Sequence, residues 1–169
     1  EILKSGMYRE FVDDFHKAAV TFLDPEVYGR SIYENSSFIA SSKNPNAHYH
    51  GKGFVARLSG STVEFIHMWS LMMFGLQPFA VQDGKLTLTF APARPAYLIG
   101  EDKKVEAVFL GKIPVCSHLA EQKDYLPGGY EVKEIALTRG DGAQTKVEGG
   151  ALPEEWAKAV RDGEVSRID

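Results

Sequence analysis

Arg57-Leu58-Ser59-Gly60-Ser61-Thr62 sets a short, glycine-containing turn directly before an apolar helical pattern. The first amides of a helix lack internal partners, and the helix dipole is positive at that end, so such a turn can hold an anion. Ser59 can add a hydroxyl, and Gly60 lets an oxyanion approach the backbone closely. Plain helix capping is the competing explanation. Ser61-Thr62-Val63-Glu64 reads as a capping box, in which Ser61 accepts from the Glu64 amide and the Glu64 carboxylate reaches back to the Ser61 amide.

Other polar groups carry less. Glu34, in Tyr33-Glu34-Asn35-Ser36-Ser37, is the other carboxylate of interest. Water-driven cleavage of a glycosidic bond normally uses two facing carboxylates, and no spacing here picks out a second. Glu34 is therefore read as orienting loop amides or hydroxyls. His48-Tyr49-His50 has the spacing of a metal pair, but Gly51-Lys52-Gly53-Phe54 follows where a third ligand is needed, and the pair precedes any strand. Loop histidines are the simpler reading, and no metal is expected. His67 and His118 lie in apolar stretches and read as core or edge residues. Cys116, the single cysteine, reads as a small buried hydrophobe.

The elements that must position these groups show clear periods. Met7, Phe11, Phe15, Ala19, Phe22 and Leu23 form one helical stripe over 8–23, which Asp24-Pro25 stops. Residues 29–60 are rich in Gly, Ser and Asn, yet Tyr33, Phe38, Ile39, Phe54 and Val55 predict an ordered polar loop rather than disorder. Phe65, Ile66, Trp69, Met72, Met73 and Leu76 predict a second helix over 62–75, apolar nearly all round and hence buried on most sides. Gly75 and Pro78 close it.

From Asp83-Gly84 the period becomes two: Leu86, Leu88 and Phe90 alternate with Lys85, Thr87 and Thr89. Further strands are expected at 105–110, 113–117, 130–138, 145–148 and 165–168, with a short helix after Pro153. This is an α+β chain in two parts, helices and a polar loop over 1–82, then an antiparallel β-sandwich over 83–169. The helices carry more apolar surface than one small sandwich covers, so missing chain or a partner is expected on them.

Composition narrows the function classes. Net charge is −4 with both signs interspersed, so no basic stripe marks a nucleic-acid surface. The longest apolar stretch, Phe65 to Leu76, is too short to span a bilayer. A single cysteine and the absence of a leader pattern fit the cytoplasm. The chain does not begin with Met, and a piece of a longer protein is expected.

Leu58-Ser59-Gly60-Ser61-Thr62-Val63-Glu64-Phe65, then Phe74-Gly75-Leu76-Gln77-Pro78, then Asp83-Gly84-Lys85-Leu86 resembles a known series. It is similar to the Ser/Thr-Gly turn, helix, Gly-Ile-x-Pro, Asp-Gly-Leu and strand near the C-terminus of the cellobiose phosphorylase family, glycoside hydrolase family 94. The resemblance covers residues 8–115; beyond that only the β character agrees. It implies the last helices of an (α/α)6 barrel ending near residue 82, followed by a jelly-roll-like sandwich.

It also implies an inverting reaction. Inorganic phosphate, the co-substrate, attacks the anomeric carbon of a β-linked gluco-oligosaccharide while one carboxylic acid protonates the leaving oxygen. Only the turn carries over residue by residue: Ser59 and Gly60 match the family's phosphate-contacting pair, with Ser61 and Glu34 supporting. The general acid and the family's phosphate-binding histidine and arginine match positions upstream of Glu1. No cofactor is implied, and a homodimer is compatible. The Glu34-Asn35-Ser36-Ser37 wording departs from cellobiose phosphorylase and is closer to members acting on other β-linked oligoglucosides, such as β-1,2-linked ones. The alternative is a non-catalytic carbohydrate-binding or interaction module. That class would expose a row of aromatics, whereas Phe90, Phe109 and Tyr130 are dispersed.

Overall fold

The structure is a computed structural model that describes residues 1–18, 26, 38–39, 41–50, 53–54 and 59–169. Two compact units emerge: residues 1–8 with 68–169, and residues 9–67.

In the smaller unit, α1 (Tyr8–Ala18) buries Phe11 and Val12 and stacks Phe11 on Phe15 at 5.6 Å, as its apolar stripe requires. The rest of the expected 8–23 helix lies outside the described residues. Of the polar loop, β1 (Phe38–Ile39) pairs antiparallel with β2 (Gly53–Phe54), matching Phe38 to Phe54. A 3-10 turn at Ala47–Tyr49 is capped by Asn46, whose side chain accepts from the His48 amide. The unit boundary falls within α2 (Ser59–Phe74).

The larger unit is α+β with two sheets. β3 (Phe79–Gln82), β4 (Lys85–Thr89) and β9 (Ala151–Leu152) form an antiparallel sheet in the order 3-4-9. The second sheet comprises β5 (Lys104–Phe109), β6 (Ile113–His118), β7 (Glu134–Arg139), β8 (Gln144–Glu148) and β10 (Val165–Ile168), in the order 5-6-10-7-8. This sheet is mixed rather than purely antiparallel as expected, because β10 enters between β6 and β7 and runs parallel to β6. The parallel step needs a crossover, and α3 (Glu154–Asp162) supplies one. It leaves β9, packs on β4 with Ala157 and Val160 buried, and delivers the chain to β10.

Phe74, Phe79, Phe90 and Phe109 form a ring cluster with Phe109 at its centre, 4.9 Å from Phe74, 5.1 Å from Phe90 and 5.8 Å from Phe79. Phe79 starts β3 and Phe109 ends β5, so the cluster ties the two sheets together. Leu88, Leu137, Leu152, Val160, Ile113 and Ile168 complete the core.

The C-terminal end of α2 is fully accounted for. Its last four carbonyls have no partner inside the helix. Here Leu71 O accepts from Gly75 N, Met72 O from Ala93 N, Phe74 O from Ala91 N, and Met73 O from Arg94 Nη2 at 3.1 Å. Arg94 is buried, and its positive head complements the negative end of the helix dipole. Burial pushes its pKa down to about 10, and its Nε has no hydrogen-bond partner. We expect Arg94→Ala to cost about 2–4 kcal/mol, because it orphans the Met73 carbonyl and empties a packed volume. Urea unfolding checks this; a loss under about 0.5 kcal/mol would contradict it.

The first half of α2 departs from expectation. Met72 and Met73 are fully buried, but Val63, Phe65 and Ile66 are 64%, 41% and 59% exposed. The all-round apolar pattern is thus buried only over its second half. His67, read as a core or edge residue, is exposed.

Candidate functional site

Two regions carry functional groups. The first is the start of α2. Ser59 and Gly60 are its first two residues, so the helix begins three residues before the capping box locates it. Ser61 is then the third residue of the helix rather than its cap, and Ser59 and Gly60, expected in a turn before the helix, form its first turn instead. The side chains of residues 59–62, and Glu34 altogether, lie outside the described residues. His48 and His50 stay in the loop: their rings serve a 5.3 Å edge contact with Tyr49 and a 2.8 Å hydrogen bond with Asn44 O.

The second region is a groove of about 420 Å³ in the larger unit. One wall is the end of β6 with β10 and the start of β7. The other runs from Phe90 through Pro92 and Arg94 to Tyr125 and Tyr130–Lys133. Arg94 and Tyr125 exchange both backbone hydrogen bonds at 2.9 Å, which pins the second wall. Tyr130 donates its hydroxyl to Pro92 O at 2.9 Å and lies edge-on to Tyr125. Burial raises the Tyr130 pKa to about 12, so this hydroxyl stays a donor at neutral pH.

Strand alternation aims the polar groups. Cys116 and His118 are two apart on β6 and share a face. β10 runs alongside in parallel, with Ile168 opposite Val115, which brings Asp169 beside that face. Two backbone hydrogen bonds with Ala136, of 2.7 and 2.8 Å, hold Asp169 to β7. Its Oδ1 lies 3.2 Å from His118 Nε2 and 2.9 Å from Arg167 Nη2, while Oδ2 accepts from Arg167 Nε at 2.7 Å.

Chiefly the Arg167 hydrogen bond, with His118 assisting, holds the Asp169 carboxyl below the usual aspartate range. Burial, then the nearby Asp169 charge, raises the pKa of the Cys116 thiol, so it is no standing thiolate nucleophile. Cys116 is buried, as its apolar run implies, but His118 is half exposed at the strand end. The Cys-x-His spacing on one strand face was a visible signal. Its third member lies 51 residues away, and only the β6–β10 pairing reveals it.

Comparison of the chain with family models, with curated proteins and with solved structures finds no match. Among the described residues, no helix is long and apolar enough to cross a membrane.

Proposed function

We propose that this chain is the C-terminal part of an inverting glycoside phosphorylase that cleaves a β-linked gluco-oligosaccharide with inorganic phosphate, giving a sugar 1-phosphate. The observation that carries this reading is the ordered series from Leu58 to Leu86, the one feature that combines an anion-suited turn with a specific sequence context. Its local structure is compatible: a helix starting at Ser59, a left-handed break at Gly75, and a β3–β4 hairpin turning at Asp83-Gly84. The exposed Val63, Phe65 and Ile66 suit a helix that packs against further helices of a barrel.

In the proposed site the amides at the start of α2, with Ser59 and Gly60, receive phosphate oxygens. Helix-end amides hold their dipoles ready, so they stabilise the anion without reorganising. Phosphate is itself the nucleophile, so no protein base has to activate water. One acid, upstream of Glu1 in this reading, protonates the leaving sugar oxygen. Ser61 and Glu34 support the turn and its loop, residues 1–82 end the barrel, and residues 83–169 form its sandwich. Inorganic phosphate as co-substrate fits work in the cytoplasm.

With the acid upstream, the 169-residue chain alone releases no glucose 1-phosphate from β-linked glucobioses. Coupled detection of glucose 1-phosphate, on protein of verified mass, checks this. Robust phosphorolysis by the isolated chain would overturn the division of labour proposed here.

A further inference from the structure

Cys116, His118 and Asp169 place a thiol, an imidazole nitrogen and a carboxylate oxygen all within 4.8 Å of one another, on the wall of an open groove. We propose that these three side chains form a binding site for a borderline divalent cation of the zinc type, with a fourth position open to the groove.

The donor chemistry selects the ion. Thiolate and imidazole favour zinc and its neighbours over magnesium or calcium, which take oxygen ligands. Bonds of about 2.0–2.3 Å in a tetrahedron hold ligand atoms about 3.3–3.8 Å apart. The His118–Asp169 contact, at 3.2 Å, is already near that separation. The other separations are at most 4.8 Å, so binding requires small side-chain rotations of both Cys116 and the half-exposed His118 to draw the donors together.

Arg167 is the positioning residue. It grips Oδ2 of Asp169 through Nε and is itself braced by Glu106 at 3.2 Å, which fixes the plane of the carboxylate. Binding exchanges the His118–Asp169 hydrogen bond for two metal bonds, with the Nε2 proton of that hydrogen bond giving way to one on Nδ1 so that the imidazole stays neutral. It also displaces the Cys116 thiol proton to solvent, one proton per ion. All three ligands line the groove, so a fourth position is left for water or a ligand oxygen entering from it.

Cobalt(II) titration of the purified chain tests this, because a cobalt–thiolate bond gives a charge-transfer band that imidazole and carboxylate do not. We expect one equivalent to bind with that band, and zinc to abolish it by displacement. Cys116→Ser eliminates the band. His118→Gln, at a half-exposed position that spares the fold, weakens affinity beyond the roughly 10–100-fold that losing an outer-shell partner costs. The double variant His48→Ala/His50→Ala binds as the parent does. Absence of the band in the folded parent chain would overturn the proposal. So would a band unchanged in His118→Gln, or binding lost only when His48 and His50 are replaced.

Discussion

Under the proposed phosphorylase function, Gly60→Val in the full protein lowers apparent phosphate affinity by more than about a hundredfold while leaving sugar affinity nearly unchanged. Gly60 is the second residue of α2, where free amides and the helix dipole converge. A branched side chain there would occupy the space the proposed oxyanion needs and deprive it of the helix-end donors. Ser59→Ala removes one hydroxyl and is milder. A charge-assisted hydrogen bond is worth about 1.5–3 kcal/mol, or roughly ten- to hundredfold in phosphate affinity. If the turn merely caps a helix, both substitutions lower the melting temperature and leave phosphate binding alone. Phosphate titration alongside thermal melts separates the two. A folded Gly60→Val variant with parental phosphate affinity excludes phosphate binding at this turn.

Gly75→Ala destabilises the larger unit by about 2–4 kcal/mol, combining left-handed strain with overpacking. Gly75 ends α2 with φ of 92°, in the region L side chains avoid. A methyl group there would sit 3.0 Å from Ala91 O and 3.1 Å from Ala91 Cβ. Ala91 cannot retreat cheaply, because its amide binds the Phe74 carbonyl as part of the cap on α2. Gly84→Ala is the control. It too has positive φ, 76°, but nothing lies within 4 Å of an added methyl, so it pays only the conformational cost. Chemical denaturation of both variants should place Gly75→Ala well below Gly84→Ala. Equal losses would show that the packing on Ala91 contributes nothing.

The same local physics decides what could be read from sequence. The apolar positions around Leu86, Val105, Ile113, Thr145 and Val165 match β4, β5, β6, β8 and β10. Leu88, Val105, Phe109, Ile113, Val115, Val165 and Ile168 are among those these strands bury, while β8 buries none of its residues fully. β3 and β9 were not anticipated. β9 is two residues long, and Phe79-Ala80-Val81-Gln82 follows the end of α2 too closely to stand out. Tyr130 to Lys133 was expected to extend β7, but Tyr130 instead turns to the Pro92 carbonyl and β7 starts at Glu134. The parallel seat of β10 beside β6 was illegible, since it depends on a crossover and on pairing between distant residues.

Burial of α2 was legible only in part. Its composition shows an apolar helix, but not that Met72 and Met73 face a core while Val63 and Ile66 face outward. For the groove, the sequence alone gives Cys116 and His118 separate, modest roles as a buried hydrophobe and a core or edge residue. Their pairing on one strand face is local, but the Asp169 that joins them arrives through topology. The turn proposed to bind phosphate is the reverse case. Its signal is wholly local, a Ser-Gly pair before an expected helix start at 62, but the helix starts at Ser59 and takes the pair into its first turn.

The most direct test of the proposed phosphorolysis is phosphorus NMR on the full-length gene product. It is incubated with inorganic phosphate and a panel of β-linked glucobioses, the β-1,2-linked one included. The account predicts growth of an α-glucose 1-phosphate resonance at the expense of inorganic phosphate, with inverted anomeric configuration and one free glucose per phosphate consumed. An unchanged phosphate resonance with every β-linked substrate, or a β-configured product, would contradict it.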